Sequence, residues 1–152
     1  MSFANDICAH KKKIFDGDTI WIDQIDCDSK HILTENLKLR LVGIDAPEMK
    51  QQFGKESKLC LSQLIGNNSI KLKTYGRDRY KRILAKIMVG EVDINLAMIK
   101  KGCAWFYRQY QENLDEEDQK LYDQAEQIAQ KQFLGLFKNA KVIPPWVWRK
   151  KN

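Results

Sequence analysis

What most constrains this chain is a change of period part-way along it. Up to Val89 most apolar residues come in short alternating runs separated by turn residues, with one stretch of helical spacing at 54–65, and beyond Asp93 they recur at helical spacing. Alternation places one face of a strand inside and the other outside, whereas recurrence at three and four residues makes a helix stripe. Residues 8–15 and 19–27 read as a hairpin around the Asp16-Gly17-Asp18 turn cluster. Leu37, Leu39 and Leu41 alternate with Lys38 and Arg40; Val42-Gly43-Ile44 continues that strand and Ala46-Pro47 ends it. Ile70, Leu72 and Thr74 alternate with Lys71 and Lys73, and Ile83, Ala85, Ile87 and Val89 oppose Arg82 and Lys86. Residues 27–36 read as a long loop.

Three helices are predicted. The first covers 54–65, with Cys60, Leu61, Leu64 and Ile65 on one side and Gly66 as its stop. The second covers 94–101, capped by Asp93 and closed by Gly102. The third covers 114–133, with a stripe of Leu121, Ala125, Ile128, Ala129 and Phe133. Asn113 and Glu116 resemble a capping box, and the acids from Asp115 to Asp118 suit a positive helix end, so they are assigned no catalytic role. Strands followed by helices give an α+β class, and the number of runs fits a five-stranded barrel of the OB type with three α-helices.

A length of 152 residues fits one domain over 1–152, with a core at about 10–137 and a tail at 138–152. No stretch of 18 consecutive apolar residues occurs, which excludes a spanning helix. The formal charge of +6 favours a polyanionic partner, such as nucleic acid or an acidic membrane surface. Cys8 and Cys27 fall opposite each other if the hairpin register is regular, within disulfide reach. Cys60 and Cys103 read as small core hydrophobes. Met1 to His10 lacks the apolar run of a signal peptide. The chain is therefore expected to be cytosolic, or secreted or periplasmic if a leader has been removed. The tail has five basic residues and no acidic ones, with Trp146 and Trp148 interleaved; both are expected to cover the open side of the barrel.

The chemistry-bearing residues cluster at strand ends. Asp16 and Asp18 flank a turn, and Asp45 and Glu48 follow the strand that carries Arg40. No histidine is placed to join them, since His10 and His31 stand alone. An all-oxygen donor set points to calcium or magnesium rather than zinc or copper. Arg40 and Arg82 each offer a planar donor fork that matches phosphate oxygens.

Asp16-Gly17-Asp18-Thr19, the run Arg40 to Glu48, and Asp78-Arg79-Tyr80-Lys81-Arg82 together resemble the staphylococcal nuclease (thermonuclease-like) family. Gly54 to Ser57, Asn95-Leu96, Lys101 to Trp105 and the ending Pro144 to Arg149 also fit. The resemblance runs from about residue 10 to 149. It implies an OB-fold barrel and calcium-dependent hydrolysis of phosphodiester bonds in DNA and RNA. By position, Asp18 and Asp45 would bind Ca2+ through carboxylates, Ala46 through its backbone carbonyl, and Asp16 through water. Arg40 and Arg82 would hold the scissile phosphate, and Glu48 would position or deprotonate the attacking water. Tyr107 and Tyr110 lie where the family has tyrosines near the substrate's end phosphate and base; packing on the barrel rim is their other use. The expected substrates are single-stranded or frayed nucleic acids, met by a monomer away from membranes. One departure is Lys81, where the family usually has glycine; a side chain sits there without strain only if φ is not positive. The alternative function is a non-catalytic OB module that binds nucleic acid or protein.

Overall fold

A computed structural model describes residues 7–152. Residues 1–6, the start of the segment read for a leader, lie outside it. The strands are β1 (Ile7–Asp16), β2 (Thr19–Ile25), β3 (Ile32–Leu41), β4 (Ile44–Asp45), β5 (Ile70–Arg77), β6 (Ile83–Val89), β7 (Val92–Asp93) and β8 (Trp105–Phe106). The α-helices are α1 (Gly54–Ile65), α2 (Ile94–Lys100), α3 (Glu116–Lys131) and α4 (Pro145–Lys151). The long strands pair antiparallel in the order β3-β2-β1-β5-β6, and a parallel β3–β6 pairing closes them into a five-stranded barrel. The α+β barrel read from the alternation is thus present, with a fourth short helix in the tail.

Closure depends on one buried amide. Asn95, at the start of α2, donates to the carbonyls of Val42 (2.8 Å) and Ala85 (3.1 Å) and accepts from the N–H of Ile87 (3.1 Å). It bonds backbone groups where β3 leaves the barrel, adding to the Val42 N–H bond to the carbonyl of Ala85 (2.9 Å). The barrel interior is filled by Ile20, Ile22, Leu39, Leu41, Ile70, Leu72, Ala85 and Ile87, all buried, with Leu61 and Ile65 of α1 against them.

Several local expectations are corrected. Two register shifts in the β1–β2 pair put Cys8 opposite Ile25 rather than Cys27. The disulfide forms all the same, because Cys27 lies just past β2 and the Cα atoms are 5.3 Å apart. Cys60 and Cys103 are not free core thiols but a second disulfide joining α1 to the segment before β8. Closing loops of 19 and 43 residues removes unfolded-chain entropy worth about 3 and about 4 kcal/mol respectively. Ile32 to Asn36, expected in a loop, extend β3 along β2. A bend at Val42-Gly43 (φ +80° at Gly43) breaks the run expected to continue through Ile44. In α3 Ala125 and Ala129 are buried as expected, joined by Asp118, Tyr122 and Glu126, whereas Leu121 and Ile128, and Phe133 beyond its end, are exposed. Its cap is Asp115, which accepts from the N–H of Asp118, rather than Asn113.

Candidate active site

The β1–β2 turn is clamped from above. A Cβ on Gly17 would lie 1.9 Å from Ser57 Oγ and 2.7 Å from Ala46 Cβ, so only glycine lets α1 and the 45–46 segment pack onto the turn. Asp16 Oδ1 accepts from the N–H of Asp18 at 3.0 Å. Asp18 accepts from the Thr19 hydroxyl (2.9 Å) and from the N–H of Ala46 (2.8 Å). These bonds weld the turn to the segment carrying Asp45. Asp18 and Asp45 are 5% and 1% exposed, a depth at which carboxylates need partners.

Arg40 supplies part of that need. One guanidinium nitrogen donates to the carbonyls of Leu41 (2.6 Å) and Ile44 (2.9 Å). The other lies 3.5 Å from Asp18 and 3.4 Å from Asp45. The bend at Val42-Gly43 thus folds the chain around its own arginine. Burial opposes ionisation of Asp18, but Arg40 and the hydrogen bonds hold its carboxyl below the ordinary range. Burial and the neighbouring Asp18 charge push Asp16 up to about 8. Burial also pushes Asp45 up to about 6, against the pull of its arginine partners.

Arg82 enters from a different turn. Asp78 accepts from the N–H groups of Tyr80 (2.9 Å) and Arg82 (3.0 Å) and from Arg82 Nε (2.7 Å). This ties the arginine at one edge of its fork. Lys81 has φ +64°, so the position does require the left-handed conformation and carries a non-glycine residue in it. Tyr107 and Tyr110 meet edge to face at 5.3 Å, and Tyr107 stacks on Trp146 at 5.6 Å. Arg108, between them, turns away to Asp123 and Glu126 of α3. The two tyrosines pack on each other and border the pocket described next.

One pocket of about 600 Å³ is bordered by Asp16, Asp18, Arg40, Asp45, Glu48, Arg82, Tyr107 and Tyr110. Ala46 is not among the bordering residues; its N–H donates to Asp18. His10 and His31 are exposed and take no part. The same pocket is bordered by a residue that sequence reasoning missed, Arg149 of α4. Its guanidinium donates to both oxygens of Asp45 (2.6 and 3.1 Å) and to Glu48 Oε1 (2.9 Å). The available signal was spacing: after Pro145 at a helix start, Trp146 and Arg149 fall three apart, on one helix face.

Among the described residues, no group of three or more His, Cys, Asp or Glu side chains forms a ready-made metal cage. A hard cation also takes backbone and water oxygens. Two buried carboxylates, Asp18 and Asp45, beside the backbone of Ala46 fit such an ion in donor chemistry.

Fold and site define an OB-type barrel with a carboxylate–guanidinium pocket bordered by its strand ends. The Staphylococcal nuclease homologue family profile matches residues 38–139. The chain is 39% identical over 140 residues to an uncharacterized endonuclease of Haemophilus influenzae, covering 92% of this chain and 71% of that one. An uncharacterized endonuclease of Escherichia coli is 35% identical over 145 residues, 95% of this chain and 86% of the other. A probable staphylococcal-like nuclease of Oryza sativa subsp. japonica is 32% identical over 126 residues, 83% of this chain and 33% of that longer protein. The chain belongs to the staphylococcal nuclease family.

Proposed function

We propose that this chain is a calcium-dependent endonuclease that hydrolyses phosphodiester bonds of DNA and RNA by attack of water. The observation that carries the reading is the meeting of Asp18, Arg40, Asp45, Glu48 and Arg82 around one pocket, from segments far apart in sequence. Asp18, Asp45 and the carbonyl of Ala46 would hold the cation, with Asp16 acting through water. When bound, calcium supplies positive charge beside the phosphate. Arg40 and Arg82 donate to the phosphate oxygens, where negative charge grows most in the transition state. Glu48, at the partly exposed edge of the pocket, orients the attacking water and takes its proton. Tyr107 and Tyr110 offer aromatic surface to an unpaired base, which favours single-stranded or frayed substrates. The protein acts as a monomer. Its two disulfides suit an oxidising compartment, which favours a secreted or periplasmic location.

The test is cleavage of single-stranded DNA and RNA with calcium and then with a chelator. Cutting that stops with the chelator is expected; cutting insensitive to it, or none, overturns the reading. Within it, Glu48→Gln should lower turnover by about 10²–10⁴-fold, the range for one general base, and leave substrate affinity in calcium unchanged. An equal loss of affinity contradicts the role given to Glu48. A second reading, a binding module without catalysis, draws on the tie between Arg82 and Asp78 and on the cover over Asp45 and Glu48. Steeply salt-dependent binding without cleavage would favour it.

A further inference from the structure

We propose that Arg149 is a displaceable latch: it occupies the cation's place at Asp45, and cation binding requires it to let go. The inference rests on the calcium reading above. Both Asp45 oxygens accept from Arg149, and Asp45 is 1% exposed, so the arginine is its cover as well as its partner. The same guanidinium nitrogen that reaches Asp45 Oδ1 also reaches Glu48 Oε1. One side chain therefore engages the group assigned to the cation and the group assigned to the attacking water. A bidentate guanidinium and a metal ion both satisfy a carboxylate by direct contact with its oxygens, so they compete.

The anchoring of α4 separates the latch from its mount. Trp146 stacks on Tyr107 and meets Trp105 edge to face at 5.8 Å, and Pro145 is buried. Gln51, which accepts from the N–H of Glu48, donates to the carbonyl of Ile143 at 2.9 Å. These contacts hold the tail beside the site without using Arg149. The arginine side chain is 37% exposed and has rotatable bonds enough to swing off while the helix stays docked. Its chain separation from Asp45, 104 residues, means that only the folded tail brings it there.

An occupied latch weakens cation binding by the fraction of time the site is open. If it is closed about nine-tenths of the time, apparent affinity falls about tenfold. The experiment is calorimetric titration of the intact protein with CaCl2, after chelator treatment, for wild type, Arg149→Gln and Arg149→Lys. Arg149→Gln should bind calcium about tenfold more tightly than wild type, and Arg149→Lys, which keeps charge but loses the fork, should fall between. The calcium-induced rise in melting temperature should also be larger in Arg149→Gln, because the metal-free form has lost its stand-in cation. A residue that merely supports the fold would leave affinity unchanged or weaken it. Either result, with wild type binding calcium, overturns the latch and leaves the calcium reading standing. No calcium binding by any of the three proteins overturns both. If Arg149→Gln does not fold without calcium, Arg149→Lys decides: affinity equal to or weaker than wild type overturns the latch.

Discussion

The floor of the pocket and its rim are built by different means. On the floor, Asp18, Arg40 and Asp45 sit on or beside strands: Arg40 donates to the nearby carbonyls of Leu41 and Ile44, Asp18 accepts from the N–H of Ala46, and Asp45 lies against the guanidinium of Arg40. On the rim, Arg82 hangs on a turn closed by Asp78, and Tyr107 and Arg149 depend on a helix from the far end of the chain. Strand register and a buried arginine fix the floor, whereas the rim is held by side-chain contacts from a turn and from the tail. A site that must hold its charges still yet admit a polymer gains from that division.

The largest expected effect is on the floor. Arg40→Ala should leave Asp18 and Asp45 buried without their shared partner, costing about 3–5 kcal/mol of stability in chelator. Cleavage should fall by about 10²–10³-fold, as for loss of one oxyanion donor. Urea unfolding and single-stranded DNA cleavage measure the two. A loss under about 1 kcal/mol would show that the floor is no more tightly built than the rim.

A middle-sized effect lies in pH dependence. Folded Asp16 keeps its proton to about pH 8, whereas the unfolded carboxyl loses it near 3.8. Between those values the folded state binds more protons, so its stability in chelator falls as pH rises. Asp16→Asn should flatten that decline and exceed wild type in stability above pH 8. Thermal melts in chelator from pH 4 to 9 test it; parallel curves would refute the buried-acid account of the floor.

The smallest effect belongs to the rim. Lys81→Gly relieves a positive φ at a cost in unfolded-chain entropy, for a net gain below about 1 kcal/mol. Cleavage should change less than for Arg40→Ala. A large loss of activity would mean that the 78–82 turn is as finely set as the floor.

Legibility followed the same line. Most of the long strands, α1, α2 and the acids flanking Gly17 are readable because alternation, turn glycine and carboxylate spacing are local signals, whereas the start of β3 and the break at Val42-Gly43 are not. On α3 the expected Ala125 and Ala129 are buried, but Leu121 and Ile128, core-like in sequence, are exposed, and Tyr122 packs inward in their place. Glu126 is buried there because it satisfies the Phe106 N–H and Arg108, a demand no helical periodicity displays. The Cys60–Cys103 link was missed since nothing in its spacing says that α1 and the segment before β8 meet.

The amino-acid sequence by itself determined the barrel class, the Gly17 turn with its flanking acids, and the presence of a guanidinium next to them. Those depend on residues close together in the chain, where backbone geometry converts spacing into position. Tertiary structure alone decided that Arg149 crosses 104 residues to cover Asp45. It also decided that Asp16 and Asp45 hold their protons unusually well. Burial and long-range charge create both effects, and neither exists until the chain has closed on itself.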